Sequence, residues 1–142
     1  MEFRLFIEED FDKVCELVKE AFDQDFDKPN ALSELKELRQ NPDYLYLVAV
    51  DNDKVVAFCN VFIHRDPFDI PFATLWYFAV DKNVRGKGIG KGMLEFAENE
   101  CNKRNCSALR LTTNLKNIAM QKASESRNYI KGYCYKKILG EK

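Results

Sequence analysis

The sequence predicts an α/β domain with a mixed central sheet and helices on both faces. Three observations carry that expectation. Apolar runs of strand length alternate with segments whose apolar residues recur at helical spacing. Two of the runs, Tyr44 to Val50 and Lys54 to Ile63, are separated only by Asp51-Asn52-Asp53, which is turn chemistry and makes a hairpin. A third run, Phe72 to Val80, leads through a glycine-rich segment into a long amphipathic stretch and then another run, Ala108 to Thr112. That is the layout of a parallel crossover. A hairpin and a crossover in one chain give a mixed sheet.

In chain order, Phe3 to Ile7 reads as a short first strand. Glu8-Glu9-Asp10 supplies negative charge suited to a helix N-terminus. Phe11, Val14, Cys15, Val18, Ala21 and Phe22 then follow at i, i+3, i+4 spacing, the pattern of an amphipathic helix. Asp23 to Pro29 breaks the pattern. Asn30 can cap a second helix, Ala31 to Gln40, which Pro42 prevents from continuing. After the hairpin, His64 to Pro71 contains two prolines and reads as a loop. Ile89, Met93, Leu94, Ala97 and Cys101 mark a helix reaching to about Asn102, and Asn117 to about Ser126 marks another. Tyr129 to Leu139, rich in Tyr and Ile, is expected to be the final strand. The expected order is therefore β-α-α-β-β-β-α-β-α-β.

At 142 residues the chain is expected to be one domain, 1–142, with a single sizeable core. Hydrophobic residues at 46% and aromatics at 13% suit a globular protein and exclude a disordered one. A net charge of −1 gives no overall electrostatic case for nucleic acid. No apolar run is long enough to span a membrane, and Met1-Glu2-Phe3-Arg4 does not read as a signal peptide. Cys15, Cys59, Cys101, Cys106 and Cys134 are odd in number and lack C-x-x-C spacing. Reduced, mostly buried cysteines in a cytoplasmic protein are the simplest account. His64 is the only histidine and no compact ligand cluster accompanies it, so no metal is expected.

The chemistry is concentrated in Arg85-Gly86-Lys87-Gly88-Ile89-Gly90-Lys91. These residues sit where a strand turns into a helix. Glycines let a ligand lie against the backbone, and the first N–H groups of a helix are unpaired and positive. The combination suits a phosphate. The spacing is not that of a P-loop, because Lys91 follows Gly86 by five residues. It is not the dinucleotide pattern either, because position 91 is lysine rather than glycine. Lys82, Arg85, Lys87 and Lys91 add local positive charge.

Arg85-x-x-Gly88-x-Gly90 resembles the pyrophosphate loop of the GNAT-type N-acetyltransferases, which bind acetyl-coenzyme A, and the expected element order resembles their fold nearly end to end. The family's N-x-x-A-x-x-x-Y-x-x-x-G-[FY] motif has a degenerate counterpart here. Asn117 and Tyr129 match, Met120 replaces the alanine, Ser124 stands at the tyrosine and Asn128 at the glycine. Asn128 keeps the backbone role, since asparagine is the next best residue for a left-handed helix stop. The resemblance implies that the pantetheine arm pairs with the backbone of Phe78, Ala79 and Val80. The pyrophosphate would lie on Arg85, Gly86, Lys87, Gly88, Ile89, Gly90 and Lys91, with Asn117 contacting the arm. Acetyl-coenzyme A would be a co-substrate.

Two departures bear on the chemistry. The family tyrosine often protonates the departing thiolate, and Ser124 is a poor acid with shorter reach. The family's glutamate positions, four and six residues before Val80, hold Trp76 and Thr74, and the segment 72–80 has no carboxylate. Strand alternation places Phe72, Thr74, Trp76, Phe78 and Val80 on one face. Deprotonation would then use His64, a loop carboxylate such as Asp66, Asp69, Asp23, Asp25 or Asp27, a water chain, or an amine that arrives neutral. Asp23, Asp25 and Phe26, in the loop that usually borders the acceptor, and Trp76 are expected to recognise a cationic amine through charge and an aromatic face. The implied function is acetyl transfer to a small-molecule or peptide amine by direct attack in a ternary complex. A non-catalytic acyl-coenzyme A binding module is the alternative. No nucleic-acid or membrane partner is expected. The oligomeric state is left open, and a homodimer is compatible with the sequence.

Overall fold

The computed structural model describes residues 1–141. The chain divides into two compact units, Met1–Leu111 and the segment from Thr112 onward.

The first unit contains β1 (Glu2–Leu5), α1 (Phe11–Phe22), α2 (Lys28–Leu38), β2 (Tyr44–Asp51), β3 (Lys54–Asp66), β4 (Asp69–Val80), α3 (Ile89–Lys103) and β5 (Leu109–Leu111). Among the described residues the strands form one sheet in the order β1-β2-β3-β4-β5. The first four are antiparallel neighbours and β5 runs parallel to β4. It is an α/β fold with a mixed sheet, as the hairpin and the crossover require. The Asp51–Lys54 turn has Asn52 and Asp53 both at positive φ, 49° and 61°, which matches the right-handed twist of the paired strands.

One face of the sheet is covered by α1. Val14 and Leu17 pack there with Phe6, Tyr46, Val48, Val55, Phe58 and Ala79. The other face receives α3, whose Ile89, Met93, Leu94, Ala97 and Cys101 are buried. β2 and the middle of β3 are buried on both faces, which explains their continuous apolar runs.

Three expectations need correction in this unit. α2 starts at Lys28, not Ala31, because Asp27 is the cap: its carboxylate accepts the Asn30 N–H at 3.1 Å. Pro29, read as a breaker, sits in the first turn, where a missing N–H costs nothing. Residues 64–71 are not a loop. β3 runs to Asp66 and β4 starts at Asp69, so only Pro67 and Phe68 turn, with Asp66 accepting the Phe68 N–H at 2.8 Å. β5 is also shorter than expected, Leu109–Leu111.

The fourth correction concerns β4. Cys59 pairs with Phe78 but Val61 pairs with Leu75, so β4 carries an extra residue opposite Asn60. A bulge breaks alternation. Thr74 and Phe72 share a face with Phe62 and His64, whereas the Gly90 backbone of α3 approaches Phe78 and Val80. The residues expected on one face are therefore divided between two.

In the second unit α4 spans Ile118–Ser126. Asn117 caps it, accepting the Met120 N–H at 3.1 Å. It ends with Asn128 in the left-handed region at φ 66°. The Tyr129 N–H reaches the Ser124 carbonyl and the Asn128 N–H the Glu125 carbonyl, a two-bond helix stop. The strand expected over 129–139 is not formed. An extended segment becomes a strand only when its backbone pairs with a neighbour. No strand is assigned within residues 130–139 among the described residues, and Ile130, Tyr133 and Tyr135 are almost fully exposed.

Candidate functional site

β5 pairs only with Ala73, Thr74 and Leu75 of β4. From Trp76 to Val80 the edge of β4 turned away from β3 has no strand partner among the described residues. Free backbone N–H and C=O groups along that edge can pair with an extended polar ligand. The bulge marks where the free edge begins. Asn60, buried at 5% exposure, holds it by accepting the Tyr77 N–H at 2.7 Å.

The free edge leads directly into the glycine segment. Asp81 accepts the Asn83 N–H at 2.9 Å and the chain makes one 3-10 turn, Lys82–Val84. Gly86 and Gly88 then stand at φ 84° and 78°, where a side chain is disfavoured. A Cβ at either would meet nothing within 4 Å, so the space in front of both is open. The first helical bond of α3 runs from the Gly92 N–H to the Gly88 carbonyl at 3.0 Å. The amides of Ile89, Gly90 and Lys91 lie ahead of it without an intrahelical acceptor. Arg85 is tied back by its Nε to the Val80 carbonyl at 3.3 Å. Lys87 and Lys91 form no ion pair among the described residues, so their charge is uncommitted. Open backbone, free amides and unpaired cations at a helix start together suit a polyanion.

On the other side of the bulge the loop 22–27 is tied to β4. The Phe22 ring meets Tyr77 edge-on with centroids 4.9 Å apart, and the Tyr77 hydroxyl donates to Gln24 Oε1 at 3.2 Å. Trp76, beside Tyr77, is 62% exposed. The acidic residues of this loop do not converge. Asp23 occupies the left-handed position that ends α1, Asp25 pairs with Lys19 at 3.0 Å, and Asp27 caps α2. Phe26 lines a cleft of about 230 Å³ with Cys15, Lys19, Gln24 and Asp25.

His64 lies on β3 rather than in a loop. Its Nε2 is 3.0 Å from Thr74 Oγ1, and its ring stacks on Phe72 at 4.8 Å. The only imidazole of the chain is therefore hydrogen-bonded to Thr74. His64 also lines a cleft of about 480 Å³ with Tyr44, Phe62, Asp43 and Arg65. Asp66 is engaged in its own turn. In the second unit, the Ser124 hydroxyl donates to the Met120 carbonyl at 2.8 Å, and Asn117 is occupied as a cap.

Sequence reasoning missed Asn60, Tyr77 and Gln24. The signal for Asn60 was present: it is the one polar residue inside the apolar run from Val55 to Ile63. Among the described residues no group of three His, Cys, Asp or Glu could hold a metal, and no helix is long and apolar enough to cross a membrane.

A mixed sheet whose fourth strand frees its edge at a bulge and feeds a glycine-lined helix start suits an extended ligand with an anionic group. The chain belongs to the acetyltransferase (GNAT) family, whose model matches residues 11–128. Solved structures share the fold at low identity. A transcriptional regulator from Bacillus halodurans C-125 is 18% identical with a TM-score of 0.87, over 98% of this chain and 99% of that one. An aminoglycoside acetyltransferase from an uncultured soil metagenomic sample, in complex with trehalose, is 17% identical with a TM-score of 0.85, over 99% and 96%. Glucosamine-6-phosphate N-acetyltransferase from Arabidopsis thaliana is 20% identical with a TM-score of 0.82, over 98% of each chain. No curated protein sequence matches this chain significantly.

Proposed function

We propose that this protein transfers the acetyl group of acetyl-coenzyme A to a primary amine by direct attack in a ternary complex. The observation that carries the reading is the continuity of the free Trp76–Val80 edge with the open Gly86–Gly88 turn and the start of α3. The edge pairs with the amide-bearing arm of coenzyme A, and Arg85 to Lys91 receive the pyrophosphate. Backbone N–H groups near Phe78 and Ala79 polarise the thioester oxygen, and binding supplies proximity.

His64, beside Thr74, takes the proton from the attacking amine, directly or through water. Ser124 is not assigned an acid role, because its hydroxyl proton is directed to the Met120 carbonyl. The thiolate then leaves without a protein acid or is protonated by water. No metal is invoked. The free cysteines among the described residues suit a cytoplasmic protein.

The acceptor is a cationic small-molecule or peptide amine, received by Trp76, Phe26, Asp23 and Asp25. The Asp25–Lys19 pair is exposed at 91% and 68%, so it is weak and an incoming ammonium can displace Lys19. Asp27 is left out, because its carboxylate holds the start of α2.

Release of coenzyme A, measured across a panel of polyamines, aminoglycosides, peptides and neutral or acidic amines, tests the reading. Turnover with a cationic acceptor is expected. In the Asp23→Asn, Asp25→Asn double variant KM for that acceptor should rise several-fold, KM for acetyl-coenzyme A should stay put, and added salt should mimic the change. Saturable coenzyme A binding with no turnover on any amine would instead establish the non-catalytic binding module. A best acceptor that is neutral or acidic would overturn the assignment of the acidic loop.

A further inference from the structure

We propose that Cys101 and Cys106 form a dithiol site that hydrogen peroxide converts to an intramolecular disulfide. The argument starts at the C-terminus of α3. Asn105 takes the left-handed conformation, φ 59°. Its N–H bonds to the Asn102 carbonyl and the Cys106 N–H to the Cys101 carbonyl, both at 3.1 Å. This two-bond stop brings the side chains of its first and sixth residues together, where an apolar contact ordinarily sits. Here both residues are cysteines. The backbone therefore sets the two cysteine side chains beside each other, the approach that a disulfide needs.

The two thiols are not equivalent. Cys101 is buried at 3% exposure and Cys106 is half-buried, so a small oxidant reaches Cys106 first. The Cys106 thiol is raised overall: burial raises it most and Asp43 adds to this, against the pull of Arg65, Cys101 and Arg104. Burial pushes Cys101 up to about 12, which keeps it protonated until its partner is activated. Exposure therefore makes Cys106 the attacked cysteine and Cys101 the resolving one.

The step balances. The Cys106 sulfur attacks one peroxide oxygen, the O–O bond breaks, and Cys106 sulfenic acid and one water result. The Cys101 sulfur then attacks the Cys106 sulfur and expels hydroxide, which takes the Cys101 proton and leaves as a second water. Two electrons pass from the sulfurs to the peroxide.

The test uses the full chain, reduced, exposed to excess hydrogen peroxide, alkylated, cleaved after lysine and arginine, and mapped by mass spectrometry. Lys103 and Arg104 lie between the two cysteines, so the disulfide joins two separate peptides. The expected result is the Cys101–Cys106 linked pair, lost on reduction with dithiothreitol and retained in Cys134→Ser. Closing so short a loop should also raise Tm by a few degrees, reversibly. The inference is overturned if both cysteines remain alkylatable after peroxide has oxidised the exposed Cys134. It is equally overturned if Cys106 ends as an unlinked sulfinic acid, or if Cys101 is found joined to Cys59.

Discussion

Gly88→Ala separates the ligand-binding role of the glycine turn from its structural role. Gly88 has φ 78°, and alanine there costs about 1–2 kcal/mol of backbone strain. No steric cost adds to this, because a Cβ at Gly88 meets nothing within 4 Å. Against a typical stability of about 5–15 kcal/mol the variant stays folded, with Tm lower by roughly 2–8 °C. The same empty space is where a pyrophosphate approaches the backbone, so coenzyme A affinity should fall by about tenfold or more in titration calorimetry. Gly92→Ala is the control. Its Cβ would run into the Phe3 ring, and its N–H is already spent on the Gly88 carbonyl. It should lose about 1–3 kcal/mol of stability with coenzyme A affinity unchanged. If folded Gly88→Ala binds coenzyme A as tightly as the parent, the pyrophosphate does not lie on this turn and the assignment fails.

Three further outcomes are expected. His64→Gln should lower kcat by about 10²-fold or more at neutral pH with little change in KM for acetyl-coenzyme A, and a steady-state assay showing full kcat would remove His64 from the mechanism. Asn60→Ala leaves the Tyr77 N–H without its acceptor and should cost about 1–3 kcal/mol by denaturant titration, whereas a Cm equal to the parent's would mean that water replaces the amide. Stability should also fall on acidification through Asp10. Burial alone would raise that carboxyl, but the Arg4 fork at 2.7 and 2.9 Å and the Ile7 N–H outweigh it and hold it below its ordinary value. A carboxyl lowered in the folded state stabilises above its unfolded pKa of about 4, and that stabilisation is lost as pH falls toward the lower folded value. In Asp10→Asn the acid limb of the stability curve should flatten, and an unchanged limb would assign it to other groups.

The layout was legible because its signals are local. Hydrophobic period, the Asp51-Asn52-Asp53 turn and the glycine segment each specify an element without reference to the rest of the chain. Asn128 as a left-handed stop could be read for the same reason. The misreadings come from interactions between segments. Whether residues 64–71 form a loop depends on β3 and β4 continuing to pair, and proline composition alone does not report that. Whether 129–139 form a strand depends on a neighbour, and β-rich composition supplies none. The acidic loop was legible as charge but not as geometry: a cap and an ion pair occupy two carboxylates that composition leaves free.

The bulge in β4 is the feature from which the proposed chemistry follows most directly, and it rests on one buried amide. Without the extra residue opposite Asn60, Thr74 and Phe78 would share a face, and cofactor and acceptor groups would crowd one side of the sheet. With it, Phe78 and Val80 turn toward the Gly90 backbone at the start of α3, while Tyr77 turns toward Phe22 and Gln24. Under the proposed function the thioester then arrives along the free edge from the glycine turn, and the amine arrives from the side of loop 22–27. The bulge is where they meet. A carboxylate at Thr74 or Trp76 is not required for that arrangement, because His64 from the neighbouring strand already reaches Thr74 Oγ1. Under that proposal the missing strand glutamate is compatible with catalysis, and the Asn60 amide at the bulge, rather than an acid on β4, would be what separates the two approaches.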